Sequence, residues 1–140
     1  MTRSAAADKK NSPVARAAWD RRAAKGRAAE DAAALFLISD GFTILARNVR
    51  VRRLEIDLLA RKGELIVVVE VRSRGEGAWV PAFSSVDWRK RARIRSAGNA
   101  LWRSRFEHDA CVRRMRFDIV SVTFDDDGGP PNIEHAIAAF

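Results

Sequence analysis

The chain has 140 residues, the length of one ordinary domain, and its 47% hydrophobic and 31% charged residues are the balance of a globular chain rather than a disordered one. A single cysteine, Cys111, excludes an internal disulfide framework and suits a reducing, cytoplasmic setting, while two distant histidines, His108 and His135, are too few for a zinc centre. No apolar run approaches the ~18 residues of a membrane span. The net charge of +8 is unevenly placed: residues 117–140 carry five acids and no Lys or Arg, so residues 1–116 hold 26 bases against 13 acids. Such a body attracts polyanions, nucleic acid above all, unless the basic surface serves solubility alone.

Residues 1–12 are small and polar and read as a flexible basic tail, with residues 13–140 forming a single domain. Pro13 to Asp40 reads as a long helix, with Pro in its first turn and Gly41 as its stop. Helical spacing places Trp19, Ala23, Gly26, Ala33, Ala34 and Leu37 on one face, with Glu30 at its centre. A carboxylate there is costly unless it is paired or metal-bound. Strands are expected at Phe42–Val51, Arg53–Arg61 and Glu64–Arg72, the last apolar on both faces as a central strand is. Ser73–Phe83 is a loop containing Trp79. Ser84 or Ser85 can cap a second helix running to about Phe106, with Val86, Ile94, Ala97 and Leu101 as its apolar stripe and Lys90 in the middle of it. Its other face is rich in arginine, and Arg89, Arg91, Arg93 and Arg95 are the candidates for phosphate contact. Trp79, Trp88 and Trp102 are either core residues or stacking platforms for unpaired bases. A fourth strand, Val112–Phe124, contains Asp118, expected to pair with an arginine. A turn (Asp125–Pro131) and a short strand, about Asn132–Ile137, close the chain. The order of elements predicts an α/β fold, a mixed sheet flanked by helices.

A hairpin about Lys62–Gly63 pairs Leu59 with Ile66, Asp57 with Val68 and Glu55 with Glu70, so that Glu55, Asp57 and Glu70 share one face, with Asp57 diagonal to Glu70 and Arg72 two residues beyond it. Clustered carboxylates destabilise one another, and either a divalent cation with oxygen ligands or the abundant arginines must offset that.

Glu30 in GRAAEDAAALFL, Asp57 in LEIDLLA and Glu70-Val71-Arg72 in VVVEVRSR resemble the spaced acids and Glu-x-Lys of restriction-endonuclease-like nucleases. With DGFTILARNVR (40–50), VDWRKRARI (86–94) and RFDIV (116–120), the chain more closely resembles the YraN-like bacterial family, related to Holliday-junction resolvases, over roughly Gly26 to Phe140. The resemblance implies a restriction-endonuclease-like core and an Mg²⁺- or Mn²⁺-dependent endonuclease acting on branched or structured DNA, in repair or recombination. Asp57, Glu70 and the Val71 carbonyl would be metal ligands and Glu30 an auxiliary acid. Arg72 stands where the motif has lysine and cannot act as a general base, so either Lys90 supplies the amine or it only neutralises a rim carboxylate. Leu54 stands where the family usually has Gly. Junction resolvases act as dimers, so the resemblance admits a homodimer. The alternatives are a catalytically inactive DNA- or RNA-binding module and a ribosome-associated accessory protein. DNA is favoured over RNA as the partner, and no membrane is expected.

Overall fold

The computed structural model describes residues 12–74 and 87–140. The expected tail, the loop with Trp79, both serine caps and Val86 lie outside the described residues. Helix α1 (Pro13–Ser39) begins at Ser12, whose Oγ accepts from the N–H of Ala15, with Pro13 at its first position. It ends in a Schellman turn: Phe42 N–H reaches Leu37 O at 2.9 Å and Gly41 N–H reaches Ile38 O at 3.0 Å. Gly41 has φ +91°, a conformation that glycine adopts at no steric cost.

Strands β1 (Thr43–Val51), β2 (Leu54–Lys62) and β3 (Leu65–Arg74) follow as an antiparallel meander, and helix α2 (Trp88–Leu101) lies in the crossover to β4 (Arg114–Thr123), which runs parallel to β3. Strand β5 (Asn132–Ala136) closes the edge antiparallel to β4. The strand order is β1-β2-β3-β4-β5, a five-stranded mixed sheet between two helices and consistent with a restriction-endonuclease-like core. β3 lies at its centre, and Ile66 to Val69 are wholly buried on both faces, as their uninterrupted apolar run predicts. One face packs Ile66, Val68 and Ile119 against Ile94, Ala97 and Leu101 of α2. The other packs Leu58, Val67, Val69 and Val120 against Ala29, Ala33, Ala34 and Leu37 of α1.

Three details depart from the expected pattern. The apolar face of α1 does not extend to Trp19, which is 69% exposed, because no position before Ala29 is buried. Helix α2 is capped by Asp87, whose Oδ1 accepts from Lys90 N–H, and after Leu101 it widens into a π-helical turn, Trp102–Phe106. The hairpin register differs by two residues: Lys62 pairs with Leu65, Leu59 with Val68 and Leu58 with Val69. The turn is Gly63–Glu64, because Gly63, at φ +60°, takes the first turn position that a two-residue hairpin reserves for glycine. A slip of two keeps each side chain on its face but brings Asp57 level with Glu70 and moves Glu55 past it.

The C-terminal segment is tied to the sheet by Asp118, whose side chain is fully buried. Arg116 donates to both of its oxygens (2.9 Å each), His135 Nε2 lies 2.8 Å from Oδ2, and the Ala138 N–H donates to Oδ1 at 3.0 Å. Burial pushes this carboxyl up, but the hydrogen bonds from His135, Arg116 and Ala138 outweigh burial and hold it below the usual 3.8. The expected structural role of Asp118 is therefore met.

Candidate active site

The register places two acids side by side on the central strands. The β2–β3 ladder ends at Leu58 and Val69, one step before Asp57 and Glu70. Around Asp57 the side-chain alternation of β2 also breaks: Ile56 packs in the core on the α2 side, while Leu58, two residues on, packs on the α1 side. The strands part there. The N–H of Val71, left without a ladder partner on β2, donates to Asp57 Oδ2 at 2.8 Å. In a strand the N–H and C=O of one residue point to the same edge, so the Val71 carbonyl faces the same gap.

Glu70 is 4% exposed and continues the α2-side alternation of Ile66 and Val68. Burial of a lone carboxylate is costly, and here it is offset by Lys90, whose Nζ pairs with Glu70 Oε1 from the inward face of α2. Asp57 and Glu70 lie close enough for each carboxyl to act on the other. Burial first, and then the negative charge of Glu70, push the Asp57 carboxyl up to about 7, although the Val71 N–H opposes the shift. Arg72 approaches the same carboxylate, Nε to Glu70 Oε1 at 3.7 Å, too long for a hydrogen bond. Its Nε is buried and has no hydrogen-bond acceptor among the described residues.

Glu30 and Glu55 stand beside this pair rather than in it. Asn48, with its amide turned to satisfy both atoms, donates to Glu55 Oε1 at 2.9 Å and to Glu30 Oε2 at 3.3 Å. Burial and the nearby Glu55 raise the Glu30 carboxyl against the pull of Asn48, and the charge of Glu30 is felt in turn at Asp57. The expected facing of Glu55 and Glu70 is thus replaced by an Asp57–Glu70 pair and a separate, Asn48-bridged Glu30–Glu55 pair. Asn48 escapes sequence reading as a site residue. The one available signal is that Asn tolerates the left-handed conformation it adopts here, φ +51°.

No group of three His, Cys, Asp or Glu side chains among the described residues is arranged to hold a metal. The donor set at the gap is two adjacent carboxylates and a backbone carbonyl. That fits magnesium, which binds through one or two carboxylates and keeps several waters, better than a cation needing an all-protein cage. Of the phosphate-contact candidates on α2, Arg89, Arg93 and Arg95 are exposed and Arg91 is half-buried. Trp88 is 73% exposed, with the Arg89 guanidinium 5.3 Å from its ring centre, whereas Trp102 packs against the α2-side core. No described helix is long and apolar enough to cross a membrane.

Residues 29–122 match the uncharacterised protein family UPF0102. A UPF0102 protein of Sorangium cellulosum is 49% identical over 145 residues, covering all of both chains. Another, of Anaeromyxobacter dehalogenans, is 45% identical over 86% of this chain and 87% of its own. A third, of Pseudomonas paraeruginosa, is 38% identical over 83% of this chain and 91% of its own. The match spans the helix that carries Glu30, the strands that carry Asp57 and Glu70, and the helix that carries Lys90: the chain belongs to the UPF0102, or YraN-like, family.

Proposed function

We propose that this protein is a metal-dependent endonuclease that hydrolyses phosphodiester bonds in branched or structured DNA, with Asp57 and Glu70 as its metal-binding pair. The observation that carries the reading is the convergence of a half-buried carboxyl, Asp57, and a buried one, Glu70, at the point where β2 and β3 part, the first held up to about 7. A structural ion pair between Lys90 and Glu70 does not need a second acid beside Glu70, whereas a cation held by oxygen ligands does.

Asp57, Glu70 and the Val71 carbonyl would hold Mg²⁺ or Mn²⁺. When bound, the ion supplies a Lewis acid and lowers the pKa of a coordinated water. The Val71 N–H orients Asp57. Lys90 pairs with Glu70 and places an ammonium beside the two acids. The Arg72 Nε–H is a guanidinium donor without an acceptor among the described residues, suited to an oxygen of the scissile phosphate as negative charge builds there. Hydrolysis forms one P–O bond from water and breaks the one to the departing sugar oxygen, which takes up a proton. An arginine cannot serve as general acid or base in that transfer, whereas an amine is the chemical type that can, and Lys90 carries the amine at the pair. Glu30 acts on Asp57 through its charge.

Purified protein is incubated with forked and four-way DNA in Mg²⁺, in Mn²⁺ and in EDTA. The expected result is cutting in metal only, abolished by Asp57→Asn. Lys90→Met lowers the rate if the ammonium takes part in proton transfer and leaves it unchanged if Lys90 only neutralises Glu70. A second reading, a binding module without cleavage, is favoured by one observation: Lys90 already neutralises Glu70 without a metal. Binding with no cutting in either metal supports it. Competition between DNA and RNA of equal length decides the nucleic acid.

A further inference from the structure

Beside the acidic pair lies a feature that reading does not use. Val51 and Leu54 pair across a two-residue turn, Arg52–Arg53, between β1 and β2. Arg52 adopts φ +57°, a conformation that tight hairpins normally assign to Gly, Asn or Asp. A strained backbone held by a long cationic side chain points to a use for that side chain. The turn faces α2 across a cavity of about 350 Å³, within the size range of small-molecule sites. Its lining combines apolar side chains (Val51, Leu54, Ala97) with cationic ones (Arg52, Arg53, Arg93) and Ser96. A second cavity of about 340 Å³ adjoins it across Arg52 and Ser96 and is lined by Arg95, Asn99 and Arg103. No described residue forms a salt bridge with Arg52, Arg53, Arg95 or Arg103.

We infer that the two cavities form a groove for unpaired nucleotides: a nucleobase enters the apolar cavity between arginine planes, and its neighbouring phosphates lie along Arg52, Arg95 and Arg103. The inference rests on the nucleic-acid reading above and deepens it by naming the substrate feature recognised. A cavity lined by apolar side chains and guanidinium groups matches the face of a base, which stacks on such planes, while the arginines at its rim can also meet the adjoining phosphates. A paired base cannot enter it. Arg93 and Ala97 follow Lys90 by one and two turns of α2, roughly 5–10 Å along the axis. That is the length of about two or three stacked nucleotides. The groove therefore holds the strand just beside the bond at Asp57 and Glu70, and directs cutting to junctions where unpaired nucleotides adjoin a duplex.

The test measures fluorescence anisotropy in EDTA, so that no cleavage enters. A labelled 12-nucleotide single strand is compared with the blunt duplex of the same sequence. The single strand is expected to bind more tightly. Arg52→Gly raises its Kd at least about fivefold. The same substitution suits the positive φ, so its melting temperature is unchanged or higher, which separates lost binding from lost folding. Ser96→Phe, which obstructs the passage between the cavities, weakens single-strand binding without a fall in melting temperature. Equal affinity for the duplex, or parent-like single-strand binding by either variant, overturns the groove. Arg52-dependent binding by a protein that cuts nothing overturns only the nuclease reading, and cutting that survives Arg52→Gly with unchanged binding overturns only the groove.

Discussion

Asp57 is a carboxylate that burial and a like-charged neighbour hold at about 7. Because its folded value lies above the usual 3.8, the fold favours the protonated form. In the metal-free protein its contribution to stability is full below 3.8 and is lost as pH rises through about 7. Asp57→Asn, always neutral, removes that loss, so the variant's melting temperature gains on the parent's as the pH rises from about 4 to about 7, and the gain levels off above that. A metal must displace the same proton. Mn²⁺ affinity measured by calorimetry is therefore expected to fall about tenfold per pH unit below about 7 and to vanish in Asp57→Asn. Asp118 has the opposite sign. Its folded value lies below 3.8, so its contribution is present above 3.8 and is lost as pH falls through the lowered value. Asp118→Asn leaves Arg116 without its carboxylate, and urea denaturation at pH 7 should show a cost of about 3–5 kcal/mol.

Helix α2 sits on the sheet through Gly98, where an added Cβ would come within 2.5 Å of Phe117 Cε1. In an exposed helix Gly→Ala gains about 1 kcal/mol from propensity. Here the clash reverses the sign, and Gly98→Ala is expected to cost about 1–3 kcal/mol by the shift in urea midpoint. The same helix carries Lys90 two turns earlier, so lifting it off Phe117 also draws the ammonium away from Glu70. Gly98→Ala should therefore lose more catalytic rate than DNA affinity, since Lys90 is at the acidic pair and the exposed arginines are not. The turns obey local chemistry at Gly41 and Gly63 but not at Arg52, the one hairpin turn in which the sequence offers no glycine.

Along the chain the charge separates: residues 117–140 carry five acids and no Lys or Arg, while arginines gather on α2 and at the β1–β2 turn. Nucleic-acid binding governed by that surface falls steeply with salt, and the logarithm of affinity against the logarithm of salt concentration is expected to be linear. Removing a phosphate-contacting arginine such as Arg95 should reduce the slope by about one, as read from anisotropy titrations between low and moderate salt. An affinity independent of salt would show that the basic surface is not the binding surface.

Much of the fold could be read along the chain. The 3.6-residue stripe of Ile94, Ala97 and Leu101, the apolar run from Ile66 to Val69 and the glycine stop after α1 are local signals, and each is met by local geometry. The candidate acids were legible for the same reason, since an ionisable residue set among apolar neighbours stands out at once. The sequence likewise determined that Lys90 lies on the inward face of its helix. Tertiary structure alone decided which acids meet. A hairpin register turns on which of two adjacent residues occupies the first turn position, and a difference of one turn residue moved Glu55 away from Glu70 and set Asp57 beside it. It also decided that Lys90 meets Glu70 and that Asn48 joins Glu30 to Glu55, because those pairs bridge different elements of the fold. Periodicity assigns a side chain to a face; only packing of one element on another sets which partner it finds there.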